Sequence, residues 1–169
     1  MLLTAIIAFI FVATMLMAAI RDASTMTIPN WISLVLLGAF VLCVPFAWQG
    51  WPTLSEHIAV GITVFAIGFI MFALGWFGGG DAKLMAATAI WWTWPDLMLY
   101  LVYTTVAGGV LGVLILLCRK FLPARIITSS WVYRLLKDET KMPYGLALAF
   151  GALTTLPQSD IFKFAAGIG

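Results

Sequence analysis

The chain has 169 residues, 63% of them hydrophobic and only 9% charged, with a mean hydropathy of +1.08. Soluble domains carry about 25% charged residues, so this composition excludes an ordinary soluble protein and indicates an integral membrane protein, organised as one membrane-embedded domain over 1–169. A net charge of +2 is too small to argue for a nucleic-acid partner, and two cysteines with one histidine, none of them clustered, do not support a metal site.

Apolar runs near 20 residues long predict helical spans rather than the shorter alternating strands of a barrel. The first span runs from about Leu2 to Ile20 and ends at Arg21-Asp22. It lacks the basic flank and cleavage site of a secretory signal and reads as retained. After a short hydroxyl-rich loop, Pro29 is expected in the first turn of the second span, where its missing N–H costs nothing. That span reaches about Ala47, and Trp48, Trp51 and Pro52 close it as interfacial residues. Glu56 and His57 are expected in a wet loop.

The third span, Ile58 to Phe77, carries Gly61, Gly68 and Gly75 at seven-residue intervals, a spacing that predicts close helix packing along one face. It empties into Gly78-Gly79-Gly80-Asp81-Ala82-Lys83. Three glycines in a row carry a large ordering cost and suit a sharp turn or a close approach. Asp81 has two readings, an N-cap for a helix starting at Ala82 or a functional carboxylate at the edge of the bilayer. The next segment, if it ends before Pro95, rises only about 20 Å against a hydrocarbon core of about 30 Å, which places Asp81 below the membrane surface. A fifth span follows from about Leu97 to Cys118, with Gly108 and Gly112 at GxxxG spacing.

Arg119 to Met142 is the long polar stretch. Trp131, Val132, Leu135 and Leu136 fall on one helical face and Arg134, Lys137, Asp138 and Lys141 elsewhere, which predicts an amphipathic helix lying on the membrane lipids. A sixth span opens near Pro143-Tyr144-Gly145, and the course of the tail from Pro157 is open. Cys43 and Cys118 read as small hydrophobes. The fold class is therefore an all-α six-transmembrane-helix bundle with an amphipathic helix in its last loop.

Eight of the nine basic residues, all except Lys163, lie at connections after odd-numbered spans. The positive-inside rule puts those connections in the cytoplasm and both termini outside. Asp22 and Asp81 then share the cytoplasmic face, while Asp96 and Asp160 fall on the opposite one. Two neighbouring carboxylates cannot both ionise cheaply. One keeps its proton and the other acts as a base, so the pair can hold a water, direct it at a carbonyl and protonate the leaving nitrogen without serine, cysteine, metal or other cofactor. A proton- or ion-coupled transporter using Asp22 and Asp81 as a relay is the alternative, and a non-catalytic assembly factor a third; a relay expects acids spread through the bilayer depth.

Arg21-Asp22, Ile28-Pro29-Asn30, Gly78-Gly79-Gly80-Asp81-Ala82-Lys83-Leu84 and Pro143-Tyr144-Gly145 together resemble the type IV prepilin leader peptidases, a bacterial group of GxGD membrane aspartyl proteases. The resemblance implies a six-helix inner-membrane enzyme with Asp22 and Asp81 as the catalytic pair. Gly78, Gly79, Gly80, Lys83, Pro29 and Asn30 support it as motif residues. It also implies cleavage of the basic leader from prepilins, after a glycine on the cytoplasmic side of the substrate's apolar helix. Paired cysteines of the methylating domain found in longer relatives are missing, so the chain looks like the short form associated with tight-adherence (Flp-type) pili, without N-methyltransferase activity. Lys83, a cation in a helix's first turn, either biases Asp81 or snorkels to headgroups. Which pilin is cleaved and the oligomeric state are not written in the sequence.

Overall fold

A computed structural model describes residues 2–121, 142–159 and 162–163, with the side chains of 2–4 left aside. Among these residues there are helices and no strands: α1 (Leu2–Thr25), α2 (Asn30–Cys43), α3 (Trp51–Ala73), α4 (Gly79–Ala89), α5 (Trp94–Phe121), α6 (Tyr144–Thr155) and a 3-10 turn (Leu156–Gln158). Three of them, α1, α3 and α5, are long and apolar enough to cross a membrane, and α2 is a shorter apolar helix. With 11 and 12 residues, α4 and α6 rise only about 16–18 Å. Six full crossings are thus more than the described helices carry by length. The expected amphipathic helix falls largely on 122–141, outside the described residues.

Helix α4 is the hub. It packs against α3, α2 and α6, while α6 also holds α1 and α5. Its residues explain the position: Ala82, Leu84, Met85, Ala87, Thr88 and Ala89 are buried on nearly every side, the pattern of a helix surrounded by others. The surrounding helices are apolar outward as well. Phe9, Ile62, Phe69, Val106 and Leu116 are all more than half exposed, an exterior that soluble monomers do not present.

Three boundaries differ from the sequence reading. Helix α3 begins at Trp51, not Ile58, because Pro52 sits in its first turn, where proline starts a helix rather than closing the preceding one. His57 is therefore not a wet loop residue. It is 2% exposed, with Nδ1 3.1 Å from the Ile90 carbonyl oxygen and its ring against Phe40. Gly75 does not extend the packing stripe. It stands at φ +74° with open space around it. There it ends α3, its N–H donating to the Phe72 carbonyl and that of Trp76 to Met71, the two bonds of a Schellman cap. Gly61 and Gly68 do pack, onto Ile90 and onto Ala82 and Met85 of α4.

At the far end of α4 the chain turns through Trp91 and Trp92, both buried, and Glu56 accepts the Trp94 N–H at 2.9 Å. Helix α5 then starts with Pro95 in its first turn, so α4 and α5 are separate helices. Asp96 is buried at that end, accepting from Thr93 Oγ1 at 3.1 Å, and so lies away from Asp22 and Asp81. Asp160 is outside the described residues. Both cysteines are free, Cys43 buried and Cys118 half-buried.

Candidate active site

Ile7, Phe11, Met15 and Ala18 form the buried face of α1, and Asp22 continues the same stripe four residues on, 5% exposed. A carboxylate placed there must be met by a donor. The donor comes from α6: the backbone N–H of Gly145 donates to Asp22 Oδ2 at 2.6 Å. Pro143, without an N–H of its own, opens this helix; the Tyr144 and Leu146 amides donate to the Met142 and Pro143 carbonyls, and that of Gly145 is left for an outside acceptor. Gly145 is required by space as well. A Cβ at this position would lie 2.8 Å from Asp22 Cβ and 2.9 Å from Oδ2.

Asp81 is in the first turn of α4, not at its cap. The helix begins at Gly79 behind Gly78, and the Ala82 N–H bonds the Gly78 carbonyl at 3.0 Å. Each of the three glycines makes room for something different. A Cβ on Gly78 would sit 2.5 Å from Asp81 Oδ2, one on Gly79 would press the Phe72 ring at 3.1 Å, and one on Gly80 would meet Ile28 side chain and backbone at 3.2 to 3.4 Å. The triplet therefore folds the turn onto its own carboxylate, onto the end of α3, and onto the α1–α2 connection. That connection is tight: Met26 has a positive φ of 54° and its N–H returns to the Asp22 carbonyl at 2.8 Å.

Asp22 and Asp81 are in this way brought to one end of the bundle, near enough that the Asp22 charge acts on Asp81. Asp81 lies outside the three long spans, and its Oδ1 is buried without a hydrogen-bond partner. Burial first, and the neighbouring Asp22 charge second, push its carboxyl up to about 7 from the ordinary 3.8. An orphaned acceptor beside a second carboxyl is the setting in which one proton is shared between two acids.

Asn30 and Lys83 also meet, though not at the carboxylates. Lys83 Nζ donates to Asn30 Oδ1 at 3.0 Å across the α2–α4 contact. Pro29 is the residue before α2 rather than in its first turn, and its carbonyl accepts the Ile32 N–H. The ring of Tyr144 lies 5.4 Å from that of Phe77, tying the start of α6 to the glycine turn. The donor role of Gly145 and the packing of Phe72 and Ile28 were not in the sequence reading. The signal available was a proline-led helix start after a polar stretch, whose first amides need acceptors.

No group of three or more potential metal ligands occurs among the described residues. No curated protein and no solved structure matches the chain. A family model described as the type IV leader peptidase family matches residues 9–113, which take in Asp22, the Ile28-Pro29-Asn30 turn and the glycine-aspartate motif. With both acidic positions inside a match covering more than half of its length, the chain belongs to the type IV leader peptidase family.

Proposed function

We propose that the protein is an aspartyl endopeptidase that removes the basic leader from prepilins or prepilin-like proteins at the cytoplasmic face of the bacterial inner membrane, with Asp22 and Asp81 as its catalytic pair. The observation that carries this reading is the half-buried Asp81 carboxyl, its Oδ1 enclosed and unpartnered, beside a second acid whose charge it feels. The Gly145 N–H stabilises negative charge on Asp22. Asp22 is then the base that takes a proton from a water held between the acids. Asp81, whose carboxyl at about 7 still holds its proton in about half of the molecules at neutral pH, donates to the scissile carbonyl oxygen as the water attacks. Collapse of the tetrahedral intermediate needs a proton on the leaving nitrogen, and the one gathered by the pair supplies it.

The substrate enters as an apolar helix and is cut as an extended strand, so local unwinding belongs to the mechanism. In this reading both termini of the six-helix bundle are outside, the site faces the cytoplasm, and the substrates are those of Flp-type systems. Co-expression of a prepilin with wild type, Asp22→Asn and Asp81→Asn, followed by the size shift of the pilin, tests it. Each substitution is expected to cut processing at least about 100-fold, the usual worth of a positioned acid or base, with the protein still in the membrane. Near-normal processing by either variant removes that residue from the mechanism.

A further inference from the structure

Helix α2 is seated on α1 and α4 and faces α3 across an open groove, with Leu34 and Leu37 on one wall and Ile62 and Phe65 on the other. Its register at the acid end is set where residues 28–30 meet the start of α4, and the contacts made there bracket Asp81. On one side Gly80 lies so close to Ile28 that a Cβ would meet Ile28 side chain and backbone at 3.2 to 3.4 Å. On the other, Lys83 Nζ donates to Asn30 Oδ1 at 3.0 Å. Asparagine at a helix start commonly caps that helix with its side-chain oxygen. Helix α2 has no side-chain cap, and the Asn30 acceptor serves α4 instead. The same connection leads back to Asp22, whose carbonyl takes the Met26 N–H. A short path through the turn and the Asn30–Lys83 bond thus links the backbones that carry the two acids.

We propose that Lys83 and Asn30 are positioning residues for the reaction: their bond pins the start of α2 to α4 and so fixes where Asp81 stands relative to Asp22. The inference rests on the peptidase reading of the two acids. Lys83 does not act on them directly. Side chains two apart on a helix do not face each other, so the ammonium points away from the side of α4 that carries Asp81. Burial and the Asp22 charge account for the raised Asp81 carboxyl without it. What the pair contributes is carried by the backbone of the first turn of α4. A displacement of reacting groups by ~1 Å costs up to about 100-fold in rate, and a hydrogen bond given by a charged donor is among the stronger ones. Both residues are exposed, so replacing them leaves the core intact.

Full-length enzyme reconstituted with a prepilin, its kcat and KM measured on both sides of pH 7, tests the assignment. Asn30→Leu and Lys83→Met should each lower kcat about tenfold, with KM within about twofold of wild type and the pH at which turnover declines unmoved. Their combination should cost little more than either, because the same bond is lost in all three. Asn30→Asp, which keeps an acceptor for the ammonium, should hold kcat within about threefold of wild type. A wild-type kcat in Asn30→Leu, with Asp22→Asn and Asp81→Asn inactive, overturns the pin and leaves the peptidase reading standing; normal cleavage by either aspartate variant overturns both. Losses that multiply in the double variant overturn the pin as well. So does a loss confined to KM, which would put the pair on the substrate, or a pH limb displaced by Lys83→Met alone, which would make the ammonium act on Asp81 through its charge.

Discussion

Gly145 and Asp22 share a space that has no room for a methyl group, and this gives a test that leaves both acids in place. Gly145→Ala puts a Cβ within 3 Å of the Asp22 carboxyl, which must swing away and lose its N–H donor. Processing is expected to fall at least about tenfold, the loss of a charge-assisted hydrogen bond. Gly38, with nothing within 4 Å of a built Cβ, is the control: Gly38→Ala should leave activity unchanged and gain up to about 1 kcal/mol of stability. Asp81 makes a second residue-scale prediction. Its carboxyl stands at about 7 in the fold against an ordinary 3.8, so between those values the folded state holds a proton that the unfolded state has lost. Stability therefore falls as pH rises from about 4 to about 7 and stays lower above. Thermal unfolding of Asp81→Asn should show a gain over wild type at pH 8, on the order of a few kcal/mol, and none near pH 3. In the proposed mechanism Asp81 is the acid and must be protonated to act, so turnover should decline as pH rises through about 7.

The helices hold the acids by a few close approaches, and these are separable. At Gly151 of α6 a Cβ would collide with Thr104 Oγ1 of α5 and come within 3.0 Å of the Thr104 amide nitrogen, whereas at Gly108 of α5 it would only touch Ala147 at 3.6 Å. Gly151→Ala is expected to cost roughly 1 to 3 kcal/mol by overpacking, Gly108→Ala close to nothing, and Thr104→Ala should restore part of the Gly151→Ala loss; unfolding midpoints in detergent report all three. Gly75→Ala, forcing a side chain into a left-handed cap, should cost roughly 1 to 2 kcal/mol. Glycine spacing in the sequence showed helix packing at Gly61, Gly68 and Gly108 but misread Gly75, because a stripe and a cap use the same residue and only the backbone angle separates them. Pro52 misled in the same way. Proline stops one helix and starts another equally well, and the start it made here carried Glu56 and His57 from an expected loop into α3, where they bond Trp94 and Ile90 and His57 is buried.

At the scale of the whole molecule, two features were legible before any coordinates: a membrane composition, and two acids returned to one side by two intervening helices. The glycine triplet announced a close approach but not what approaches. Its three neighbours, the Asp81 carboxyl, Phe72 and Ile28, come from long-range packing that local sequence does not encode. Gly145 was hidden for the same reason, since its partner Asp22 lies 123 residues away. The brevity of α4 was foreseen from its apolar length and has a structural consequence: a helix of 11 residues wrapped by α2, α3 and α6 carries Asp81 at its first turn and keeps it half-buried while the long spans face outward. The central claim is that Asp22 and Asp81 act as one unit on one water. The measurement that tests it most directly is single-turnover cleavage of a reconstituted prepilin by wild type, Asp22→Asn, Asp81→Asn and the double variant. Groups acting together lose their effect together, so each single substitution is expected to cost at least about 100-fold and the double variant little more than either. Losses that multiply, or a single variant that cleaves at a near-normal rate, would contradict the pair.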